Sequence, residues 1–172
     1  MNDDITFNYK LKASYDANVS DQKAVDSIIK VANNNHFNAS AISFVLLTSG
    51  IMKGRVSFQI NFTQFGDCKV NSVLLYSINI LKCIIQCAAF DEKSFYNFEE
   101  NNRQIKFFPK GDSILVQLLI NEKVHAETLV ESLSLLKMAA QFYKTVLSDC
   151  RQTHPELSNN KLFRDNLPFF FI

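Results

Sequence analysis

The sequence predicts an α+β domain, in which an antiparallel sheet packs against amphipathic helices and the last helix is long. Apolar and polar residues alternate at positions 5–11 and 56–62, which is the period of a strand with one buried face. Apolar residues also recur at helical spacing across positions 128–150. Only 4 Gly and 3 Pro occur in 172 residues, so the connections are expected to be short.

The first part of the chain predicts one strand followed by two helices. After the strand at residues 5–11, Ser20 stands where an N-cap is expected, ahead of apolar residues at helical spacing. Three consecutive asparagines at residues 33–35 end this helix. Asn38 is a candidate cap for a second, shorter helix, although residues 42–47 also fit a strand.

The middle of the chain predicts a strand and then a helix. A turn is predicted at residues 50–54, the strand at 56–62, and a second turn at 65–67, around Gly66. Apolar residues then follow a helical stripe across residues 73–88. The start of this helix stays open, because residues 69–76 could also begin as a strand.

Short strands that form a meander are predicted next. The predicted strands are residues 95–98, 105–108, 114–120 and 124–126, and the predicted turns are residues 99–102, 109–112 and 121–123. The strand at 114–120 is the most apolar, so we expect it to be central.

The long helix is predicted to begin with a capping box. Thr128 and Glu131 have the Thr-x-x-Glu spacing in which each side chain satisfies a free amide at a helix start. The helix should end near Cys150, with one apolar face formed by Leu129, Leu133, Leu136, Ala140, Tyr143 and Leu147. The expected order is β-α-α-β-α-β-β-β-β-α. Residues 1–157 form a single domain in this prediction, and residues 158–172 form an apolar tail that packs on the domain or lies in an interface.

Charge and hydropathy restrict the classes of partner and location. The net charge is +1, from 18 basic and 17 acidic residues, so the basic excess typical of nucleic-acid binding is missing. Residues 73–90 are the most apolar window, but four polar residues interrupt it, which favours a buried helix over a membrane span. The first residues lack the pattern of a signal peptide. We therefore expect no nucleic-acid or membrane partner, a cytoplasmic location and reduced cysteines.

The motifs of catalysis and cofactor binding are missing from the sequence. Cys83 and Cys87 lie one helical turn apart, but neither a Cys nor a His lies near them in sequence to complete a metal site, so core packing is favoured. The histidines, at positions 36, 125 and 154, have no motif spacing, and the glycines form no phosphate-binding loop. The sequence therefore predicts a protein that is not an enzyme, without catalytic residues, metal or cofactor.

Two groups of residues are candidates for contact with a protein partner. The acidic group lies in turns on either side of the first short strand of the meander: Asp91, Glu92, Glu99 and Glu100. Such carboxylates are usually solvated surface charges, but they can also attract a basic partner. The second group lies at the apolar C-terminal end: Phe163, Arg164, Phe169, Phe170 and Phe171. This end either folds back on the domain or lies in a homodimer or partner interface.

Residues 95–157 resemble immunity proteins of bacterial polymorphic-toxin systems. The resemblance comprises the turn at 107–112 (FFPKGD), the strand at 114–120, the capped helix at 128–150 and the stop at 154–157 (HPEL). Those proteins are small cytoplasmic partners that bind and block a cognate toxin, including toxins delivered by contact-dependent or type VI secretion. The resemblance implies a stoichiometric inhibitor that acts by direct binding. It carries over no individual binding residue, because such interfaces differ from pair to pair.

Two other functions fit the same sequence. A dimeric adaptor or structural subunit would use the Phe-rich end for self-association. A small enzyme would need a pocket without a known motif, near His125 or the acidic turns, with a histidine and a carboxylate in hydrogen-bond reach.

Overall fold

The computed structural model describes residues 3–11, 52–98, 102–159 and 161–167. These residues form two antiparallel sheets and three α-helices, which confirms the predicted α+β class and the long helix near the C-terminal end. The two helices predicted between residues 20 and 47 lie outside the described residues.

From β2 onward, the described elements follow one another with short connections; residues 12–51, between β1 and β2, lie outside the described residues. In chain order they are β1 (Ile5–Leu11), β2 (Gly54–Ile60), β3 (Thr63–Val70), α1 (Val73–Phe90), β4 (Ser94–Asn97), β5 (Arg103–Lys110), β6 (Ser113–Ile120), β7 (Lys123–Glu131), α2 (Ser132–Thr153), a 3₁₀ helix (Pro155–Asn159) and α3 (Lys161–Asn166). The first sheet has the order β1-β2-β3, and the second has the order β4-β5-β6-β7. The most apolar strand, β6, lies inside the second sheet, as predicted.

The prediction had one strand, at residues 56–62, between the turn at 50–54 and α1, and it missed β3 and the turn between β2 and β3. Ile60 pairs with Thr63, so Asn61 and Phe62 form the turn, and the predicted turn at 65–67 is wrong. Gly66 instead lies within β3, where a Cβ atom would stand only 3.3 Å from the ring of Phe98. This glycine therefore allows close packing with Phe98. The predicted turn failed because it was based mainly on the presence of a glycine.

Helix α1 begins after Ser72, whose Oγ accepts a hydrogen bond from the amide of Leu75 at 3.2 Å. This cap resolves the open start of the helix in favour of residue 73. The helix ends at Phe90, and its C-cap Asp91 has a left-handed φ of 56°. Among the described helices, α1 alone is long and apolar enough to cross a membrane, but more than half of it is buried within the protein.

The predicted capping box at the start of the long helix is wrong. Strand β7 continues to Glu131 and therefore includes Thr128, which pairs with Val116. The helix starts at Ser132, and its N-cap Glu131 makes no side-chain cap hydrogen bond. Because of this shift, the buried face of α2 is formed by Leu135, Ala139, Phe142, Tyr143, Val146 and Cys150.

The two helices and the inner faces of both sheets share one core. Phe7 of β1 stacks on Phe58 of β2, with ring centroids 4.3 Å apart, and on Phe142 of α2 at 5.2 Å. The described part of the predicted tail joins this core, because Phe163 and Leu167 are buried in it. This part of the tail packs on the domain.

Candidate protein-binding surface

The four-stranded sheet has one buried face and one face that is open to solvent. Side chains alternate between the two faces along each strand. On β5 and β6, Ile105, Phe107, Ile114 and Val116 point into the core and are fully buried. We call the opposite side the outer face.

One row of the outer face is entirely apolar. Phe108 pairs with Leu115, and Leu115 pairs with Leu129, so these side chains lie side by side across three strands. Leu129 is 55% exposed, and the other two are partly exposed. The ammonium of Lys93 lies 5.8 Å from the centroid of the Phe108 ring, within the range of a cation–π contact.

The next row combines an aromatic side chain with polar ones. Phe95 pairs with Lys106, which pairs with Gln117, and Gln117 donates a 2.9 Å hydrogen bond to Glu127. Phe95 is 58% exposed. This row adds a large apolar ring at the β4 edge, together with groups that can hydrogen-bond a partner.

A third row continues the surface toward the opposite end of the sheet. Gln104 donates a 2.7 Å hydrogen bond to Asn97 and pairs with Leu119, which pairs with Val124. Val124 is 50% exposed, whereas Leu119 is buried. Apolar side chains therefore occur in all three rows, and apolar side chains grouped on one exposed face are typical of interaction sites.

Of the predicted acidic residues, the structure describes only Asp91 and Glu92. Both are exposed, and they lie between α1 and β4. The amide of Glu92 donates to the carbonyl of Gln86 at 3.2 Å, which fixes this turn against the helix end. Glu99 and Glu100 lie outside the described residues.

The predicted C-terminal group is divided by the structure. Phe163 is fully buried, so its ring is not available to a partner. Its prediction as a partner-binding residue is therefore wrong, and it is a core residue. Arg164 is exposed. Phe169, Phe170 and Phe171 lie outside the described residues.

The cysteines pack as apolar side chains. Burial raises the pKa of Cys83 to about 11, and burial together with the nearby charge of Asp91 raises the pKa of Cys87 to about 11. The Cys83 thiol donates to the carbonyl of Phe95 at 3.2 Å. Both thiols are therefore protonated at neutral pH, and a protonated thiol is a poor metal ligand. Within the described ranges, His, Cys, Asp and Glu form no group of three that could hold a metal ion.

His125 does not lie beside the described acidic turn. It is exposed on β7, at a register shift where Leu119 pairs with Val124. Asp91 and Glu92 precede β4, which is the opposite edge of the same sheet. Three inter-strand spacings of about 4.8 Å each separate these edges, so these residues do not form an acid–base pair.

Sequence reasoning missed the exposed apolar residues of the outer face. Leu129 was assigned to the buried face of a helix, and Phe95 was noted only as a strand residue. Glu127 and Glu131 lie two residues before and after Leu129, on the same face of a strand, and these charges are the signal that could have placed Leu129 on a solvent-facing strand surface.

Comparisons of the chain with protein-family models, with curated proteins and with solved structures found no match.

Proposed function

We propose that this chain is a non-catalytic protein-binding domain that neutralises a cognate bacterial toxin by direct binding in the cytoplasm. The observation that carries the proposal is the outer face of the four-stranded sheet. Phe95, Val124 and Leu129 are each half or more exposed there. When a partner covers large apolar side chains in this position, their removal from water lowers the free energy and favours binding.

The backbone of this face favours binding because it is already ordered. Each of its strands is hydrogen-bonded to a neighbour over its length, and β6 is paired on both sides. Little backbone entropy is therefore lost when a partner docks, and more of the contact energy appears as affinity. A stoichiometric inhibitor needs such a surface and needs no reacting group.

The resemblance to immunity proteins supports the choice of a toxin as the partner. The segment that carries it includes β5, the turn after it, β6 and α2, and β5 and β6 form two of the strands of the outer face. The net charge of this chain is close to zero, and it does not indicate which activity the toxin has.

Co-expression tests the proposal. The product of the adjacent reading frame is expected to stop growth when expressed alone and to be harmless when this chain is co-expressed. The double variant Phe95→Asp with Leu129→Asp should abolish protection, because it places two carboxylates in the apolar contact. The matched control is Phe90→Asp, because Phe90 is 67% exposed at the end of α1 and belongs to none of the three rows of the outer face; it should still protect.

A neighbouring product that is harmless by itself contradicts the proposal. So does full protection by the double variant, provided that its circular dichroism spectrum and melting temperature match those of the wild type.

A further inference from the structure

The turn between β2 and β3 presents an aromatic ring to solvent in a backbone conformation that disfavours it. Phe62 has φ of 69° and is 86% exposed, the largest exposure among the large apolar side chains that the structure describes. Bulky residues are rare at positive φ, where glycine or asparagine is usual. The ring contributes no core packing there, so its presence calls for another reason.

The turn that holds Phe62 is fixed by hydrogen bonds to the start of β1. The amide of Asn61 donates to the carbonyl of Asp4 at 2.8 Å, and the amide of Asp4 donates to Oδ1 of Asn61 at 2.8 Å. Nδ2 of Asn61 donates to Oδ1 of Asp3 at 2.9 Å. An aromatic side chain on a fixed turn loses little entropy when it enters a pocket.

Asp3 also connects this turn to the second sheet. Its Oδ2 accepts a 2.9 Å hydrogen bond from the amide of Glu131, at the end of β7. Leu129, which belongs to the apolar row of the outer face, lies two residues before Glu131 on the same side of the strand. The turn therefore adjoins one corner of the outer face.

Acidic residues predominate among the described residues at this corner. Asp3, Asp4 and Glu131 meet there, and the carbonyl of Asp112 accepts the amide of Ser132 at 2.9 Å, which brings a fourth acidic residue close. Among the described residues, Lys110 is a basic residue in register with this group, because it pairs with Ser113, the partner of Glu131. Carboxylates around an exposed aromatic ring match a basic surface that contains an apolar pocket.

We infer that Phe62 is the aromatic anchor of this corner and inserts into an apolar pocket, bordered by Lys and Arg side chains, on the protein partner. The inference rests on the proposed function and adds to it the position of the main contact and the charge of the partner. Aromatic anchors of this kind carry a large share of binding energy.

The test measures the binding of the full-length chain to the purified product of the adjacent reading frame by biolayer interferometry. Phe62→Ser should weaken the affinity by ~30-fold or more, the effect of removing a central anchor. Phe90→Ser, the matched control, should stay within ~3-fold, as expected of an exposed residue outside the contact. Asp4→Lys and Asp112→Lys should slow association, and raising the salt concentration should slow the association of the wild type.

Each outcome decides between the inference and the function on which it rests. If the wild type does not bind, the proposed function fails, and the inference fails with it. If Phe62→Ser binds as the wild type does while Leu129→Asp does not, the function stands and the inference is overturned. If neither salt nor the two charge reversals change the association rate, the inference that the partner's pocket is bordered by basic side chains is overturned. If light scattering shows a dimer that Phe62→Ser dissociates, Phe62 binds a second copy of this chain, and the inference is also overturned.

Discussion

Phe62 and Glu122 occupy equivalent positions in two two-residue turns of the chain. Each follows an asparagine, and in both turns the two residues have positive φ: 46° and 69° in one, 49° and 64° in the other. Hairpin turns of this conformation prefer Asn-Gly, because glycine pays no steric cost at the second position. The chain therefore has a residue with a side chain at both positions, 62 and 122, where glycine would make the folded protein more stable.

Phe62→Gly should raise the free energy of unfolding by about 1 kcal/mol, the lower end of the cost of a left-handed conformation for a residue with a side chain. Urea denaturation followed by circular dichroism measures this change. Phe62→Ala is the control: alanine removes the ring but keeps the strained Cβ, so its stability should equal that of the wild type. A loss of stability in Phe62→Gly would mean that the ring packs on the domain, and this would remove the reason to treat it as an anchor.

At the scale of the elements, the starts of the two long helices differ. Helix α1 has a side-chain cap in Ser72, which is itself buried, whereas α2 follows directly from β7, and its N-cap residue makes no side-chain cap hydrogen bond. The amide of Ser132 is instead satisfied by the carbonyl of Asp112, in the turn between β5 and β6. The start of α2 is thus held by tertiary contacts.

Ser72→Ala should lower the free energy of unfolding by about 1 kcal/mol, because the partly buried amide of Leu75 loses its acceptor. Glu131→Gln should change it by less than about 0.5 kcal/mol, as is usual for an exposed residue, since the cap hydrogen bond of a capping box is not made there. Thermal or chemical denaturation of both variants compares them directly. A larger loss in Glu131→Gln than in Ser72→Ala would contradict the helix start at Ser132.

The sequence predicted the type of most described elements but not all of their boundaries. The α+β class, the central position of β6 and the turn predicted at 121–123, which the structure has at 121–122, followed from periodicity and turn residues. The capping box failed because Thr128 and Glu131 fit a helix start and an alternating strand equally well, and pairing with β6 decided in favour of the strand. The turn at 65–67 failed because Gly66 serves the packing of Phe98, while the real turn contains a phenylalanine.

The candidate binding surface was less predictable than the fold. Phe163 resembled an exposed anchor in sequence, but α3 turns it into the core. Leu129 resembled a core residue, but its strand faces solvent. Local pattern gives the spacing of apolar side chains, whereas the layer that covers each face is a property of the folded chain.

At the scale of the whole molecule, helices α1 and α2 pack together on the inner side of the strands, and the outer face of the second sheet remains exposed. Asp3 links the two sheets at one corner through its hydrogen bonds to Asn61 and Glu131. These hydrogen bonds, the one from the Glu131 amide first, lower the pKa of Asp3, so its carboxylate is charged at neutral pH. The described part of the molecule thus combines a single core with an ordered apolar surface.

Hydroxyl-radical footprinting of the chain, alone and bound to the product of the adjacent reading frame, tests the central claim most directly. The account predicts that Phe95, Val124 and Leu129 become several-fold less reactive in the complex, because the partner removes them from water. Phe90, which is more open to solvent than these three, should react at the same rate in both states. Unchanged reactivity of the three outer-face residues in a complex that has formed would contradict the account.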